Sequence, residues 1–211
     1  MKYNIMCGGS YEHWPEPKQL TRINGEPIIE RTIRLLRENG VEDIAISSNN
    51  DVFKQFGVPV LKHNNSFHVD RWGIVGFWCD AFYPTEEPVC YVFGDVIFSP
   101  EAIKTIVETE TTRIQLFASA PPFAPEYPKP WAEPFALKVG NTDLLKSAIH
   151  SLKYWNDRGV YKRHPIVWEL WTLICGQEFN TIDYNSYVAI NDYTCDIDSP
   201  DEAAMIESII P

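Results

Sequence analysis

Long apolar runs are missing from this chain. No stretch of its 211 residues is apolar enough for long enough to cross a membrane as a helix. Positive charge is scarce too: 18 lysines and arginines stand against 29 aspartates and glutamates, a formal net charge of -11. The pI is about 4.9. That balance lacks the basic stripe of a nucleic-acid surface, so nucleic acid is not expected as a partner. An acidic protein that handles a polyanion needs a metal ion or a local cluster of lysine and arginine. Cysteine is sparse as well. The five residues, Cys7, Cys79, Cys90, Cys175 and Cys195, are scattered and odd in number, and none forms a Cys-x-x-Cys pair. This speaks against zinc and for reduced thiols in a cytoplasmic protein. The chain opens on a strand-like segment without a basic-then-apolar leader, in keeping with that expectation. Internal repeats and low-complexity tracts are absent.

Hydrophobic residues make up 45% of the chain, enough for a buried core and too much for disorder. The length suits a single domain over residues 1–211. Tyr3–Met6 reads as a buried strand. Ile28, Ile29, Ile33, Leu35 and Leu36 share one side of a helix, with Glu30, Arg34 and Glu38 on another. Asn39-Gly40 should end that helix in a left-handed cap. Ile44–Ile46, Val58–Leu61 and Val89–Phe93 read as further strands, and the aromatic-rich Trp72–Phe82 as a helix. Ser99-Pro100-Glu101 and Ser199-Pro200-Asp201-Glu202 each place a capping serine before proline, the second with a capping box on Glu202. Helices are also expected around Leu145–Leu152 and Ile166–Cys175. The alternation predicts an α/β fold, a mostly parallel mixed sheet with helices on both faces. Six prolines between 121 and 134 exclude regular structure there, leaving a loop or arm near the site or a plain surface connection.

Three segments carry chemistry. In the first, Cys7-Gly8-Gly9-Ser10 follows the opening strand, and Pro17-Lys18-Gln19-Leu20 follows the loop. Glycines let several backbone amides converge on phosphate, and a nearby ammonium can neutralise charge that develops in a transition state. In the second, Gly94-Asp95 ends a strand, the edge where ligands gather in open α/β sheets. A carboxylate there suits Mg²⁺, which takes one or two carboxylates and completes its shell with water and phosphate oxygens. In the third, Asp196 and Asp198 alternate onto one face just before a capped helix. Two such carboxylates repel unless something positive sits between or beside them: a metal, or a lysine paired with one of them.

These pieces, with Asn24-Gly25-Glu26-Pro27 and Asn64-Asn65-Ser66, resemble the nucleotidyltransferase family that activates sugar phosphates and alcohol phosphates. Within it the likeness is greatest to the small cytidylyltransferases acting on phosphocholine and related phosphates. The resemblance implies a Rossmann-like, glycosyltransferase-A-like fold of the nucleotide-diphospho-sugar transferase type. It implies that Cys7, Gly8, Gly9, Ser10 and Asp95 bind the nucleotide, that Lys18 stabilises the α-phosphate, and that Asp95 and Asp198 ligate Mg²⁺. The implied substrates are a nucleoside triphosphate, CTP by preference, and a phosphorylated small-molecule acceptor, in a pathway of polysaccharide or lipid decoration. A homodimer is compatible with it. Lys162 and Arg163, in the densest basic cluster, are candidates for the acceptor phosphate, with an exposed charged turn as the alternative. Trp131, Trp155, Trp168 and Trp171 are candidates to face an ammonium, sugar or base, although Trp168 and Trp171 sit at core-like helical spacing. His63, His68 and His150 show no ligand spacing.

The chain departs from the family in one respect. Ser10–Glu16 holds two glutamates and no arginine, where the family usually places one that reaches the β- and γ-phosphates. Arg22 and Arg71 are the candidate substitutes. Two other readings follow. One is a glycosyltransferase of the same fold, with Asp196-Ile197-Asp198 as its Asp-x-Asp. The other is a non-catalytic relative that binds a nucleotide or sugar.

Overall fold

The fold is described from a computed structural model, for residues 1–8, 14, 16–121, 129 and 131–210. Seven strands build its main sheet: β1 (Lys2–Met6), β2 (Ile44–Ser47), β3 (Val60–Leu61), β4 (Val89–Phe93), β5 (Ile114–Ala118), β6 (Pro134–Val139) and β7 (Val188–Ala189). Their order across the sheet is β7-β5-β6-β4-β1-β2-β3. Strands β4, β1, β2 and β3 run parallel to one another, and β5 is parallel to β7. Only β6 runs against its neighbours, pairing antiparallel with both β4 and β5. The sheet is therefore mixed and mostly parallel, as the sequence predicts.

Among the described residues five α-helices accompany it: α1 (Ile28–Glu38), α2 (Pro100–Glu108), α3 (Thr142–Asn156), α4 (Val167–Ile174) and α5 (Pro200–Glu207). Every residue of β4, and all of β1 beyond Lys2, is buried, so side chains of both parities are covered. That is why these strands read as nearly continuous apolar runs. Gly40 closes α1 in the left-handed region at φ 78°. The Ser99 and Ser199 hydroxyls accept the backbone N–H of Ala102 and Glu202 at the starts of α2 and α5. The predicted capping box shifts by one residue, since the Glu202 carboxylate accepts the N–H of Asp198 rather than that of Ser199.

One predicted element is overturned. Residues 72–82 are not a helix. A two-stranded hairpin (His68–Asp70 with Gly73–Val75) is followed by a 3-10 turn at Trp78–Ala81. Gly73 and Gly76 lie at φ 123° and 82°, outside helical backbone, and a Cβ on Gly76 would overlap the backbone of Ser66. The aromatic spacing looked helical, but the two glycines decide the local conformation.

Two features of the fold position the site. Parallel strands bring the carboxyl ends of β1, β2 and β4 to one edge of the sheet, which gathers Cys7-Gly8, Ser48-Asn49-Asn50 and Gly94-Asp95. Just beyond β4, Val96–Ile97 pairs antiparallel with Cys195–Asp196, and the Ile197 N–H donates to the Asp95 carbonyl at 3.1 Å. A small core of Ile23, Ile28, Ile97, Cys195, Ile197 and Ile206 supports this joint.

Candidate active site

Gly94 fixes how closely Asp95 lies against the opening strand. Its N–H donates to the Met6 carbonyl at 3.1 Å. A Cβ there would run into that carbonyl and stand 2.7 Å from Cys7 Sγ. Gly8 is similarly crowded: a Cβ would fall 2.5 Å from Asn65 Nδ2. Asn65 ties two loops together, donating to the Gly8 carbonyl at 3.1 Å and accepting the Phe67 N–H at 2.9 Å. Gly9 and Ser10 lie outside the described residues.

Lys18 opens a short 3-10 turn (Lys18–Leu20), and its side chain is buried. Its Nζ lies 3.0 Å from Asp198 Oδ1 and 3.6 Å from Asp95 Oδ2. A second buried ammonium stands beside it. Lys129 Nζ lies 2.6 Å from Asp196 Oδ1 and 2.8 Å from Asp198 Oδ2, with Glu133 at 3.6 Å and Glu202 at 3.7 Å. The two aspartates that the sequence places on one face do converge on a cation, and that cation is a lysine side chain. Asp198 bridges the two ammonium groups. Among the described residues, five carboxylates share these two positive charges.

The electrostatics follow from burial and neighbours. Burial pushes Glu133 up to about 7, even though Lys129 and the Trp131 indole N–H favour its charged form. Burial, Glu133 and Asp198 together hold Asp196 above the usual carboxylate range. Burial also works against charge on Asp198, but Lys18 and Lys129 outweigh it and hold that carboxyl low. For Lys129, burial is overcome by Asp196 and Glu133, which keep the ammonium charged beyond its ordinary range. Burial, then the charge of Asp95, raises the Cys7 thiol well above its ordinary value, so Cys7 serves as wall and not as nucleophile.

Two cavities flank this cluster. One, of about 670 Å³, has a polar lining that includes Cys7, Gly8, Lys18, Asn49, Asn50 and Asn65. The other, of about 500 Å³, is walled by Phe67, Trp78, Phe93, Trp131, Trp168 and Tyr184, with Asp95, Asp196, Glu133 and Arg163 also in its lining. Gly8 and Phe67 line both cavities and so form a shared wall.

This arrangement of a mixed α/β sheet, a glycine turn, a buried lysine and strand-end carboxylates agrees with what family comparison finds. A model of the MobA-like NTP transferase domain matches residues 4–164. The chain belongs to this family. It is a nucleotidyltransferase, and members of the family generally use a divalent metal. Solved structures share the fold at low sequence identity. The inositol-1-phosphate CTP transferase from T. maritima is 14% identical, with a TM-score of 0.56 over 100% of this chain and 97% of that one. A protein described as a glucose-1-phosphate thymidylyltransferase from Bacillus anthracis, in complex with a sucrose, is 15% identical, with a TM-score of 0.58 over 99% and 94%.

The MobA-like domain brings some sequence-selected residues together and leaves others apart. Cys7, Gly8, Lys18, Asp95 and Asp198 meet at one edge of the sheet. Arg163 lines the aromatic cavity, where its Nε donates to buried Glu169 at 2.7 Å, whereas Lys162 is exposed and lines neither cavity. Trp131 and Trp168 line the aromatic cavity; Trp171 is buried, and Trp155 packs on Phe179 at 5.7 Å. Arg22 donates to the Gly25 carbonyl, and Arg71 lies over the Trp72 ring at 4.9 Å; neither lines either cavity. The residue that sequence reasoning missed is Lys129. Its only signal is a lone lysine inside the proline-rich segment, for which the sequence predicts a loop or arm near the site or a surface connection.

No group of three or more His, Cys, Asp and Glu stands at metal-binding spacing among the described residues. The donor set nevertheless suits a hard cation. Among the described residues its five carboxylates outnumber the two ammonium groups beside them, and the shortest ion pair of Asp95 there is 3.6 Å.

Proposed function

We propose that this chain transfers a nucleotidyl group from a nucleoside triphosphate to a phosphorylated small molecule and releases pyrophosphate, with Mg²⁺. One observation carries the reading. Two cavities of opposite character share a wall at Gly8 and Phe67, and the lysine–aspartate cluster reaches both, with Lys18 in the polar lining and Asp95 and Asp196 in the aromatic one.

The polar cavity takes the donor. Its asparagine amides can both give and accept hydrogen bonds, as a base edge requires. CTP is the preferred donor, supported by the likeness to a CTP transferase. Lys18 faces the α-phosphate and stabilises the charge that builds there. The acceptor phosphate oxygen, already anionic, attacks the α-phosphorus in line. One P–O bond forms while the bond to pyrophosphate breaks, so no side-chain base is required. Asp95 and Asp198 would hold Mg²⁺, which supplies charge neutralisation for the phosphates. Lys129 brings a second ammonium to a site whose loop lacks the family's arginine. The aromatic walls favour an alcohol phosphate with an apolar or cationic head over a polyol, since few unengaged polar groups face that space. The reading takes residues 1–211 as one cytoplasmic domain that feeds surface polysaccharide or lipid decoration.

The test is pyrophosphate release with each of the four nucleoside triphosphates, Mg²⁺ and a panel of phosphorylated alcohols and sugars. Acceptor-dependent release from one triphosphate is expected. It should fall about 10²–10³-fold in Lys18→Ala and in Asp95→Ala, as for loss of one preorganised charge. Silence across the panel, with a nucleotide sugar still raising the melting temperature, would move the assignment to the glycosyltransferase reading.

A further inference from the structure

The aromatic cavity holds one cation that the transfer reaction leaves without a task. Asp95, Glu133 and Asp196 line that cavity, and among the described residues Arg163 is its single basic side chain. A phosphate monoester carries a charge of about −1.5 to −2 at pH 7, so it is repelled by such a lining unless a cation offsets it. Arg163 is set up for this by its surroundings. Its Nε donates to Glu169 Oε1 at 2.7 Å, while Glu169 Oε2 accepts the Ile166 N–H at 2.9 Å at the start of α4. The Glu169 side chain is 8% exposed and that of Arg163 is 54% exposed. A buried carboxylate fixed at both oxygens therefore grips one edge of a guanidinium whose other edge is open. Among the described residues the terminal Nη pair makes no hydrogen bond. The backbone is pinned as well: Asn180 accepts the Lys162 N–H at 2.9 Å and donates to the Val160 carbonyl at 3.2 Å.

We propose that Arg163 is the phosphate anchor of the acceptor site and that Glu169 is the residue that positions it. This rests on the nucleotidyl-transfer reading for what the acceptor is, but not for its test. A guanidinium presents its donors as a rigid planar fork. With Nε committed to Glu169, the two Nη groups remain for two phosphate oxygens in the bidentate geometry that arginine favours. The aromatic walls then take the organic part of the acceptor. Lysine cannot do the same work here. Its ammonium is a point charge, and Glu169 would claim it, because a buried carboxylate left unpaired is costly. The anchor also sets specificity. An unphosphorylated alcohol fits the walls but leaves the guanidinium without its anion, so the site selects the phosphorylated form.

The probe is phenyl phosphate, titrated by calorimetry with neither nucleotide nor metal present. Wild type is compared with Arg163→Met, Arg163→Lys and a control of equal charge, Lys162→Met, since Lys162 is exposed and lines neither cavity. Loss of the charge-assisted pair should weaken binding about 10–100-fold in Arg163→Met. Arg163→Lys should recover little of that loss, and Lys162→Met should stay within about twofold of wild type, as for a screened surface charge. Glu169→Gln keeps an oxygen for the Ile166 N–H. It should weaken binding in the wild-type background and not in Arg163→Met, whereas a merely structural Glu169 predicts the same loss in both. No binding to wild type at millimolar phenyl phosphate overturns the proposal, as does wild-type affinity in Arg163→Met or an equal loss in Lys162→Met. Wild-type affinity in Arg163→Lys, or equal Glu169→Gln losses in both backgrounds, overturns the positioned fork. In case the variants do not fold, wild type supplies a second measurement, the rate at which phenylglyoxal labels Arg163, read by mass spectrometry. Saturating phenyl phosphate should slow that labelling several-fold, and an unchanged rate refutes the anchor. Neither readout depends on turnover. Arg163-dependent binding without pyrophosphate release would sink the transfer reading alone. Acceptor-dependent release with an unchanged acceptor KM in Arg163→Met would sink this one alone.

Discussion

Replacing Gly94 with alanine should cost more than the small size of the change suggests, and the reason is local. Gly94 does not occupy the left-handed region, so alanine meets no backbone penalty there. The cost is steric. The new methyl would overlap the Met6 carbonyl, stand 2.7 Å from Cys7 Sγ and 3.2 Å from Gln19 Cγ. Ordinary contacts lie near 3.5–4.0 Å, so the strands must part by about 1 Å or the β1–β4 register must loosen. The nearest of these neighbours is backbone of β1, which cannot swing aside as a flexible side chain would, and the Cys7 side chain is buried against it. Overpacking of this kind costs about 1–3 kcal/mol, and the upper end is expected here. Gly57→Ala is the matched control: its φ is 68° and nothing lies within 4 Å of the added carbon, so strain alone should cost about 1 kcal/mol. Urea unfolding of the two variants separates the terms. The same 1 Å shift moves Asp95 away from Lys18, and a misplacement of that size should cost about 10²-fold in turnover. Gly94→Ala within about 0.5 kcal/mol of wild type, with Gly57→Ala clearly destabilised, would show that the strands yield freely and would refute the packing argument.

Three further outcomes are expected. Gly8→Ala should push Asn65 off the Gly8 carbonyl; because the clash is with a side-chain amide, Gly8→Ala with Asn65→Ala should recover part of the loss in a double-mutant cycle. Lys18→Met should lose turnover far more than stability, because the side chain of its partner Asp198 is 55% exposed and water can take over that half of the pair. Glu133 gives a pH signature. The folded protein keeps its proton up to about pH 7, whereas the unfolded chain releases it near 4.5. The unfolded state binds fewer protons across that window, so stability from this group falls as pH rises from 4.5 to 7, by on the order of 3 kcal/mol. Glu133→Gln should flatten the decline in a melting-temperature series, and an unchanged slope would place the titration elsewhere.

The local order of this chain determined a good deal by itself. Apolar runs wrote β1, β2 and β4; the 3.6-residue period wrote α1; serine–proline pairs set the starts of α2 and α5. Such signals lie within a few residues of one another, where backbone geometry and capping chemistry act. Asp95 is legible because it follows a glycine at a strand's carboxyl end, and Lys18 because it stands in a Pro-Lys-Gln-Leu run after the glycine loop; the structure places both side chains in one cluster. What the sequence could not supply was the meeting of distant segments. That Asp196 and Asp198 converge on Lys129, and that Asp198 also reaches Lys18, depends on Cys195–Asp196 pairing with Val96–Ile97 about a hundred residues earlier. Charge pattern alone shows that two neighbouring aspartates need a cation, but not which one. A metal ion and a buried lysine answer the same Coulombic demand, and only the tertiary structure decided that Lys129 is brought to Asp196 and Asp198.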